Sequence, residues 1–428
     1  MKYIDKQRTG IWLWLSIYIG TVIYIYISLV SPLFSYAYLT TDINEQKCYL
    51  CFLLLLFTLY FLPLEFRRPS SYLFYIIYLI TYIPTLMYTW MNNMDELYII
   101  YFTICILMIE IMITKIKDIY IPFPYGRKFF LAIFILYIVL SIMLVVINGG
   151  INPNALVISE ISATRAGINS EGAWGYLLNW CAKSFSPVFF AYFAYKKRWY
   201  MVGLVCVLQA LLYLSYGFKS FLFSIVLLVL VSLILRENEK YFKQLPKIFA
   251  GINIVSYVLY ELDVFNLPMF TFAYRTLFVP AQAQYQYFDY FSTNEYLFFS
   301  EGIIGQVLGV AYPYSMPIGF IVNQSVYGID HFSNGNTGMF SYGFADFGLV
   351  GMIIASLLLI LVFLIIDGIT SKVPIYIIVA AMAYQMIILN DTNILISLNT
   401  GGIVWTVFIL LILGPVLSKN NEGAANKS

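Results

Sequence analysis

The chain has 428 residues, of which 61% are hydrophobic, 19% are aromatic and only 11% are charged, and its formal net charge is +2. Soluble domains have about a quarter of their residues charged, so this composition excludes an ordinary soluble domain and indicates an integral membrane protein. The small net charge gives no reason to expect a nucleic-acid partner.

Apolar runs long enough to cross a bilayer recur along the whole chain. We predict an all-α polytopic membrane protein in which residues 1–428 form a single integral membrane domain with about twelve spans. The first run is too long for a removable signal peptide, so we interpret it as a true span. The predicted spans are residues 11–38, 48–63, 71–91, 97–114, 128–148, 173–195, 199–216, 218–235, 248–261, 347–366, 373–389 and 402–417.

The positions of lysine and arginine predict the orientation of these spans, because cytoplasmic loops retain basic residues. With the N-terminus in the cytoplasm, 19 of the 24 basic residues fall on the cytoplasmic side. The other five lie outside or in the outer halves of predicted spans, and they are Lys47, Arg165, Lys183, Lys219 and Arg275. We therefore expect both termini in the cytoplasm.

Two predicted outer segments are longer than a simple connection requires. Residues 149–172 form the first, and residues 262–346, between spans 9 and 10, form a large outer loop. Within the large loop, residues 302–322 are semi-apolar but contain prolines and glycines, which argue against another straight span. We expect short helices there, at the outer membrane interface.

These two segments hold the only arginines predicted to face outward, Arg165 and Arg275. A guanidinium group is always charged and can hold two phosphate oxygens at once, so an outer anionic ligand would account for both arginines. The alternative is that each arginine pairs with a neighbouring carboxylate such as Glu160, Glu171 or Asp289. We favour the ligand.

Two further residues are candidate ligand contacts near these arginines. Lys183, in the outer half of span 6, is either a pyrophosphate contact or a side chain that reaches the interface. Tyr274 belongs to a dense aromatic group around Arg275, whose rings are suited either to stacking on sugars or to anchoring at the interface. The other members of this group are Phe278, Tyr285, Tyr287, Phe288, Tyr290 and Phe291.

Polar residues collect at 331–348, HFSNGNTGMFSYGFADFG, where the large loop enters span 10. His331, the only histidine, and Asp346 are candidate general bases; the alternatives are a structural hydrogen bond for His331 and a helix cap for Asp346. Asn334 and Asn336 flank a glycine in a turn that either binds an anion through backbone N–H groups or is an ordinary turn. We find no pattern of metal ligands and expect no cofactor.

Three patches of the sequence resemble bacterial O-antigen polymerases of the Wzy family. They are SATRAG around Arg165, YRTLFVPAQAQYQYF after Tyr274, and NGNTGMFSYGFADFGLVG, which contains Asp346. The resemblance implies a metal-independent glycosyltransferase in the bacterial inner membrane. Its substrate would be an undecaprenyl-pyrophosphate-linked oligosaccharide in the membrane lipid, polymerised on the periplasmic side. A separate chain-length regulator is the protein partner that the resemblance implies.

Two other functions are compatible with a membrane protein of this architecture. An O-antigen ligase would use the same kind of lipid-linked donor, and the sequence separates it poorly from a polymerase. A flippase or other transporter of lipid-linked oligosaccharides would need charges along a central path and would have little use for a loop of this length. The nearly charge-free predicted spans therefore favour the enzyme.

Overall fold

A computed structural model of the chain describes residues 2–63, 66–124, 126–156, 172–237, 244–330 and 333–425. In these ranges the secondary structure is helical and no strand is formed, which confirms the prediction of an all-α protein. Seven helices of the described chain are long and apolar enough to cross a membrane. Helical structure coincides with all twelve predicted apolar runs, but the number of twelve spans stays a prediction.

We number the principal helices in chain order. They are α1 (Lys2–Ile25, continued by Tyr26–Val30 and Ser31–Leu33), α2 (Glu45–Phe61), α3 (Pro69–Met91), α4 (Glu96–Lys115), α5 (Arg127–Ile147), α6 (Ala173–Trp180, Cys181–Phe185 and Ser186–Tyr195), α7 (Trp199–Tyr216), α8 (Lys219–Glu237), α9 (Leu245–Glu261), α10 (Met269–Phe278 and Val279–Phe291), α11 (Ile303–Leu308), α12 (Ile318–Tyr327), α13 (Met339–Ile369), α14 (Ile375–Ile388), α15 (Ile394–Asn399) and α16 (Ile403–Ala425).

Helix α3 is the centre of the bundle, because its residues are buried from Pro69 to Met91 and none of them is charged. Two of its tyrosine hydroxyls bond to threonines of neighbouring helices. The hydroxyl of Tyr78 lies 2.8 Å from that of Thr58 on α2, and the hydroxyl of Tyr82 lies 2.9 Å from that of Thr103 on α4. Each such bond between membrane helices contributes about 0.6 kcal/mol on average. Tyrosine is therefore one of the residue types that form the core of this protein.

The predicted large loop contains a helix that packs into the bundle. Helix α10 buries Tyr285 completely, and the Tyr285 hydroxyl lies 2.6 Å from that of Thr89 on α3. The neighbouring Gln284 accepts a hydrogen bond of 2.8 Å from the Tyr98 hydroxyl on α4. Part of the segment of residues 262–346 therefore belongs to the helix bundle itself. The short helices α11 and α12 follow α10, within or near the stretch where short helices were expected.

Four of the described helices contain a π-helical segment that ends two residues before a proline, namely Pro32, Pro84, Pro187 or Pro280. Proline has no N–H group, and its ring clashes with the carbonyl four residues earlier. The wider π-turn accommodates the ring, because the residue before each proline donates to a carbonyl five residues back. Each proline therefore frees a carbonyl group that needs another donor.

Helix α13 is broken inside the predicted span 10. Phe347 and Gly348 have non-helical backbone angles, and the positive φ of 59° at Gly348 is a conformation that glycine adopts without strain. The break brings the backbone at Gly351 against the Gly343 carbonyl, with no room for a side chain at residue 351. The GFADFGLVG part of the sequence therefore specifies a sharp turn between two helical segments.

Replacing Gly351 by alanine is expected to destabilise the protein by about 1–3 kcal/mol, because the added methyl group would collide with the Gly343 backbone. Gly20 on α1 is the matched control, since nothing lies within 4 Å of a methyl group at that helical position. Gly20→Ala should cause no loss of stability. Unfolding of the two variants in detergent measures the difference, and equal stabilities would contradict the proposed close contact.

Candidate functional site

Arg165 and His331, two of the residues selected from the sequence, lie outside the described residues. Glu160 and Glu171, two of the carboxylates considered as alternative partners of the arginines, also lie outside them. The geometry of the candidate site is therefore built from the other predicted residues and from those that they contact. The proposed roles of Arg165 and His331 stay predictions.

Arg275 lies on the π-helical segment of α10, and its side chain is exposed. Its guanidinium carbon is 5.5 Å from the centre of the Tyr274 ring, a cation–π distance. Asp289, the alternative partner that the structure describes, forms no ion pair with Arg275. Within the described chain the guanidinium therefore remains available to an anion.

Tyr274 and its aromatic neighbours have packing roles. The Tyr274 ring stacks on Phe34 with 3.7 Å between ring centres and an interplanar angle of 8°, so one of its faces is covered. Tyr285, Tyr287 and Phe288 are buried in the bundle. These three rings are therefore unavailable to a sugar, and they pack inside the bundle instead of anchoring it at the interface.

Pro280 links Arg275 to helix α14. The freed carbonyl is that of Thr276, next to Arg275, and it accepts a hydrogen bond of 3.0 Å from the Asn390 amide nitrogen. Asn390 is 2% exposed and lies just beyond the end of α14. The proline therefore creates the acceptor, and Asn390 satisfies it in a place where water has little access.

Pro187 links Lys183 to the same helix. The freed carbonyl belongs to Lys183 itself, and it accepts a hydrogen bond of 3.2 Å from the amide nitrogen of Gln385. Gln385 is 1% exposed and also contacts the hydroxyl of Thr406 at 2.7 Å. The Lys183 side chain is partly exposed, and its ammonium group has no partner among the described residues. Hydrogen bonds from helix α14 and from the turn that follows it therefore hold the π-helical segments that carry Lys183 and Arg275.

The turn around Asn334 and Asn336 is packed into the protein instead of forming an anion nest. Its Gly335 N–H donates to the Gly319 carbonyl at 3.0 Å, and the Met339 N–H donates to the Leu389 carbonyl at 3.0 Å. Neither glycine of the turn has a positive φ, which the alternating conformation of a nest requires. Asn334 and Asn336 themselves are exposed. The glycines serve close packing, and the asparagine side chains remain available to a ligand.

Asp346 lies inside α13, immediately before the break, and is 3% exposed. It does not cap the start of the helix, which begins at Met339. Its carboxylate accepts a hydrogen bond of 3.1 Å from the Phe299 N–H and also interacts with the side chain of Asn393. A buried carboxylate engaged in this way holds the chain around the break, so its position favours a structural role over that of a base.

Sequence reasoning missed Asp391, which lies in the turn of residues 389–393 after α14. Its side chain is exposed, although protein surrounds the carboxylate closely enough for burial to raise its pKa to about 7. Arg275 interacts with Asp391 and partly opposes this rise in pKa. No pattern in LNDTN marked the residue, because aspartate and asparagine are ordinary in turns. The one signal that the sequence offers is an amide-rich segment after an apolar run, which does not single out Asp391.

The Asn390→Ala variant is expected to lose about 1–3 kcal/mol of stability, because the Thr276 carbonyl would lose its donor in a buried position. Asn294→Ala is the matched control: the Asn294 amide donates to the Tyr290 carbonyl at 2.7 Å, but in an exposed position where water can replace it. Unfolding in detergent should therefore separate the two variants. Equal, small effects would show that the bond to Thr276 does not stabilise α10.

The residues brought together are Arg275 on α10, the segment of residues 336–339 that leads into α13, and the turn of residues 389–393. We call this group the convergence site. An exposed guanidinium, the exposed amide of Asn336 and a carboxylate with a raised pKa are suited to binding an anionic, hydroxyl-rich ligand and to accepting a proton. Comparisons of the chain with protein-family models, with curated proteins and with solved structures found no match.

Proposed function

We propose that the protein is a membrane glycosyltransferase that polymerises undecaprenyl-pyrophosphate-linked oligosaccharide repeat units into O-antigen or a related surface polysaccharide. In this proposal the chain has twelve spans and both termini in the cytoplasm, and the reaction takes place at the outer face of the bacterial cytoplasmic membrane. A chain-length regulator would be its protein partner. The observation that carries the proposal is the exposed guanidinium of Arg275, which has no ion-pair partner among the described residues and lies in a site rich in amide groups.

In this reaction the main contribution of the protein is to neutralise the negative charge that develops on the leaving pyrophosphate. A sugar hydroxyl of the acceptor attacks the anomeric carbon of the donor, the new glycosidic bond forms, and the bond to the pyrophosphate oxygen breaks. The pyrophosphate leaves with the electron pair and gains negative charge, which fixed cations stabilise in the transition state. We assign this role to Arg275, with Arg165 and Lys183 as further contacts.

The exposed amides of Asn334 and Asn336, in and next to the convergence site, fit the sugar part of the substrate. Asn334 and Asn336 carry both donors and acceptors, which are the groups that hydroxyl-rich ligands need. Tyr274 stays in the proposal as a support for the Arg275 guanidinium, since one of its own faces is covered by Phe34. His331 stays a candidate near the acceptor hydroxyl.

The character of α3 argues for an enzyme over a flippase. A transporter of a pyrophosphate-linked substrate needs charged groups that line a path through the protein. Helix α3 is buried along its whole length and carries no charged residue. An O-antigen ligase would use the same donor chemistry, and the product separates the two: a polymerase makes ladders of repeat units, whereas a ligase transfers finished polymer to a lipid core.

Arg275→Ala, expressed in native cells that lack the wild-type copy, is expected to abolish long-chain polysaccharide ladders. Arg275→Lys should restore little, because a lysine cannot hold two phosphate oxygens in one plane. The ladders are read on gels, with protein levels checked by immunoblot. Arg165→Ala is expected to have the same effect.

Lys117→Ala is the control for these variants, since Lys117 is an exposed cation on the segment between α4 and α5, away from the convergence site. Its ladders should equal those of the wild type. Normal ladders in Arg275→Ala at normal protein level would overturn the role of Arg275. Polymer that fails to reach the lipid core, with its synthesis intact, would instead identify a ligase.

A further inference from the structure

The acceptor hydroxyl loses a proton during glycosyl transfer, and Asp346 is poorly placed to take it. The Asp346 carboxylate is buried and accepts the Phe299 N–H group at 3.1 Å. A base must reach the substrate by direct hydrogen bonding or through one water molecule. In the described chain, the convergence site offers another carboxylate, that of Asp391, whose side chain is exposed.

The backbone of Asp391 is held in place from three sides. Its own N–H donates to the Ile388 carbonyl at 2.9 Å, which ends helix α14. The Leu389 carbonyl accepts from the Met339 N–H at 3.0 Å, and Asn390 bonds to Thr276 at 3.0 Å. These bonds fix the turn of residues 389–393 against α10 and α13. Asp391 is therefore carried on a rigid element between the two helices that contribute the rest of the site.

The charges around Asp391 suit a base beside a bound anion. On α10, Arg275 interacts with Asp391, but the two residues form no direct ion pair. On α14, Tyr384 also interacts with Asp391. From α13, Asp346 reaches the same turn through Asn393, and Lys183 on α6 is joined to α14 through Gln385. The hydrogen bond of 3.0 Å from Asn390 to Thr276 joins the sequence neighbours of Asp391 and Arg275, so the two side chains can act on one substrate and bind different parts of it.

We propose that Asp391 is the catalytic base of the reaction, which rests on the proposed glycosyltransferase function. An oxygen of the Asp391 carboxylate takes the proton from the acceptor hydroxyl as that hydroxyl oxygen forms its bond to the anomeric carbon. The bond from the anomeric carbon to the pyrophosphate breaks at the same time, and Arg275 receives the departing negative charge. The proton then passes from Asp391 to water, which returns the carboxylate to its starting state.

The pKa of Asp391 gives the direction of the expected pH dependence. Burial raises it to about 7, and Arg275 limits the rise. A base works in its deprotonated form, so turnover should fall as the pH drops through about 7. A pyrophosphate bound to Arg275 would cancel part of the positive charge and would shift this fall to higher pH.

The test uses the purified full chain in detergent or liposomes with a purified lipid-linked repeat unit as both donor and acceptor. In Asp391→Asn we expect kcat to fall by at least about 100-fold, with KM changed only a few fold, because the isosteric amide keeps the shape but cannot take a proton. The residual activity should lack the decline below pH 7. Glu295→Gln is the control, since Glu295 is an exposed carboxylate of the loop after α10.

The outcomes separate this inference from the proposed function. If the wild type forms no polymer from the lipid-linked unit, the glycosyltransferase proposal itself is wrong. If the wild type is active and Asp391→Asn keeps its kcat or its acidic decline, the base assignment is wrong. If Asp391→Asn does not fold, Asp391→Glu provides the measurement. Asp391→Glu should keep part of the activity, and its turnover should fall at a different pH from that of the wild type. An unchanged pH profile would overturn the assignment.

Discussion

A proline within a helix leaves the carbonyl four residues earlier without its usual donor. In this protein two such carbonyls help to position two cationic residues. One belongs to Lys183 and the other to Thr276, the neighbour of Arg275. Both are satisfied by amide side chains of α14 or of the turn after it. A hydrogen bond that satisfies the freed carbonyl of one helix also links that helix to another. The positions of Lys183 and Arg275 therefore depend on the amide side chains of Gln385 and Asn390.

This arrangement solves a problem of charge in an apolar bundle. A cation within a membrane protein needs water, a counter-ion or a ligand, because isolation in an apolar medium is costly. Arg275 is exposed and Lys183 is partly exposed, while the contacts that hold them are made by their backbones and those of their neighbours. Among the described residues neither side chain forms an ion pair, as is expected of groups that bind a ligand.

The sequence predicted the helical class and the position of nearly every apolar helix, because long apolar runs in a membrane protein have few alternatives to helix. It predicted α10 poorly. The glutamines and the proline of VPAQAQYQYF are typical of a loop, and only the packed bundle shows that Gln284 is bonded inside it. The glycines of NGNTG were interpreted as a turn or nest, although close contacts explain them. Asp391 was missed because its importance comes from neighbours that are distant in sequence.

The uncharged helix α3 has a consequence for the passage of water and protons across the protein. The proposed function would place a hydrated site in a membrane that stores a proton gradient, and water must then not continue across the protein. The hydroxyls of Tyr78 and Tyr82 on α3 are bonded to threonines of adjacent helices and need no water chain to satisfy them. Helix α3 is thus suited to separate a hydrated site on one side, as the proposed function requires, from water on the other side of the membrane.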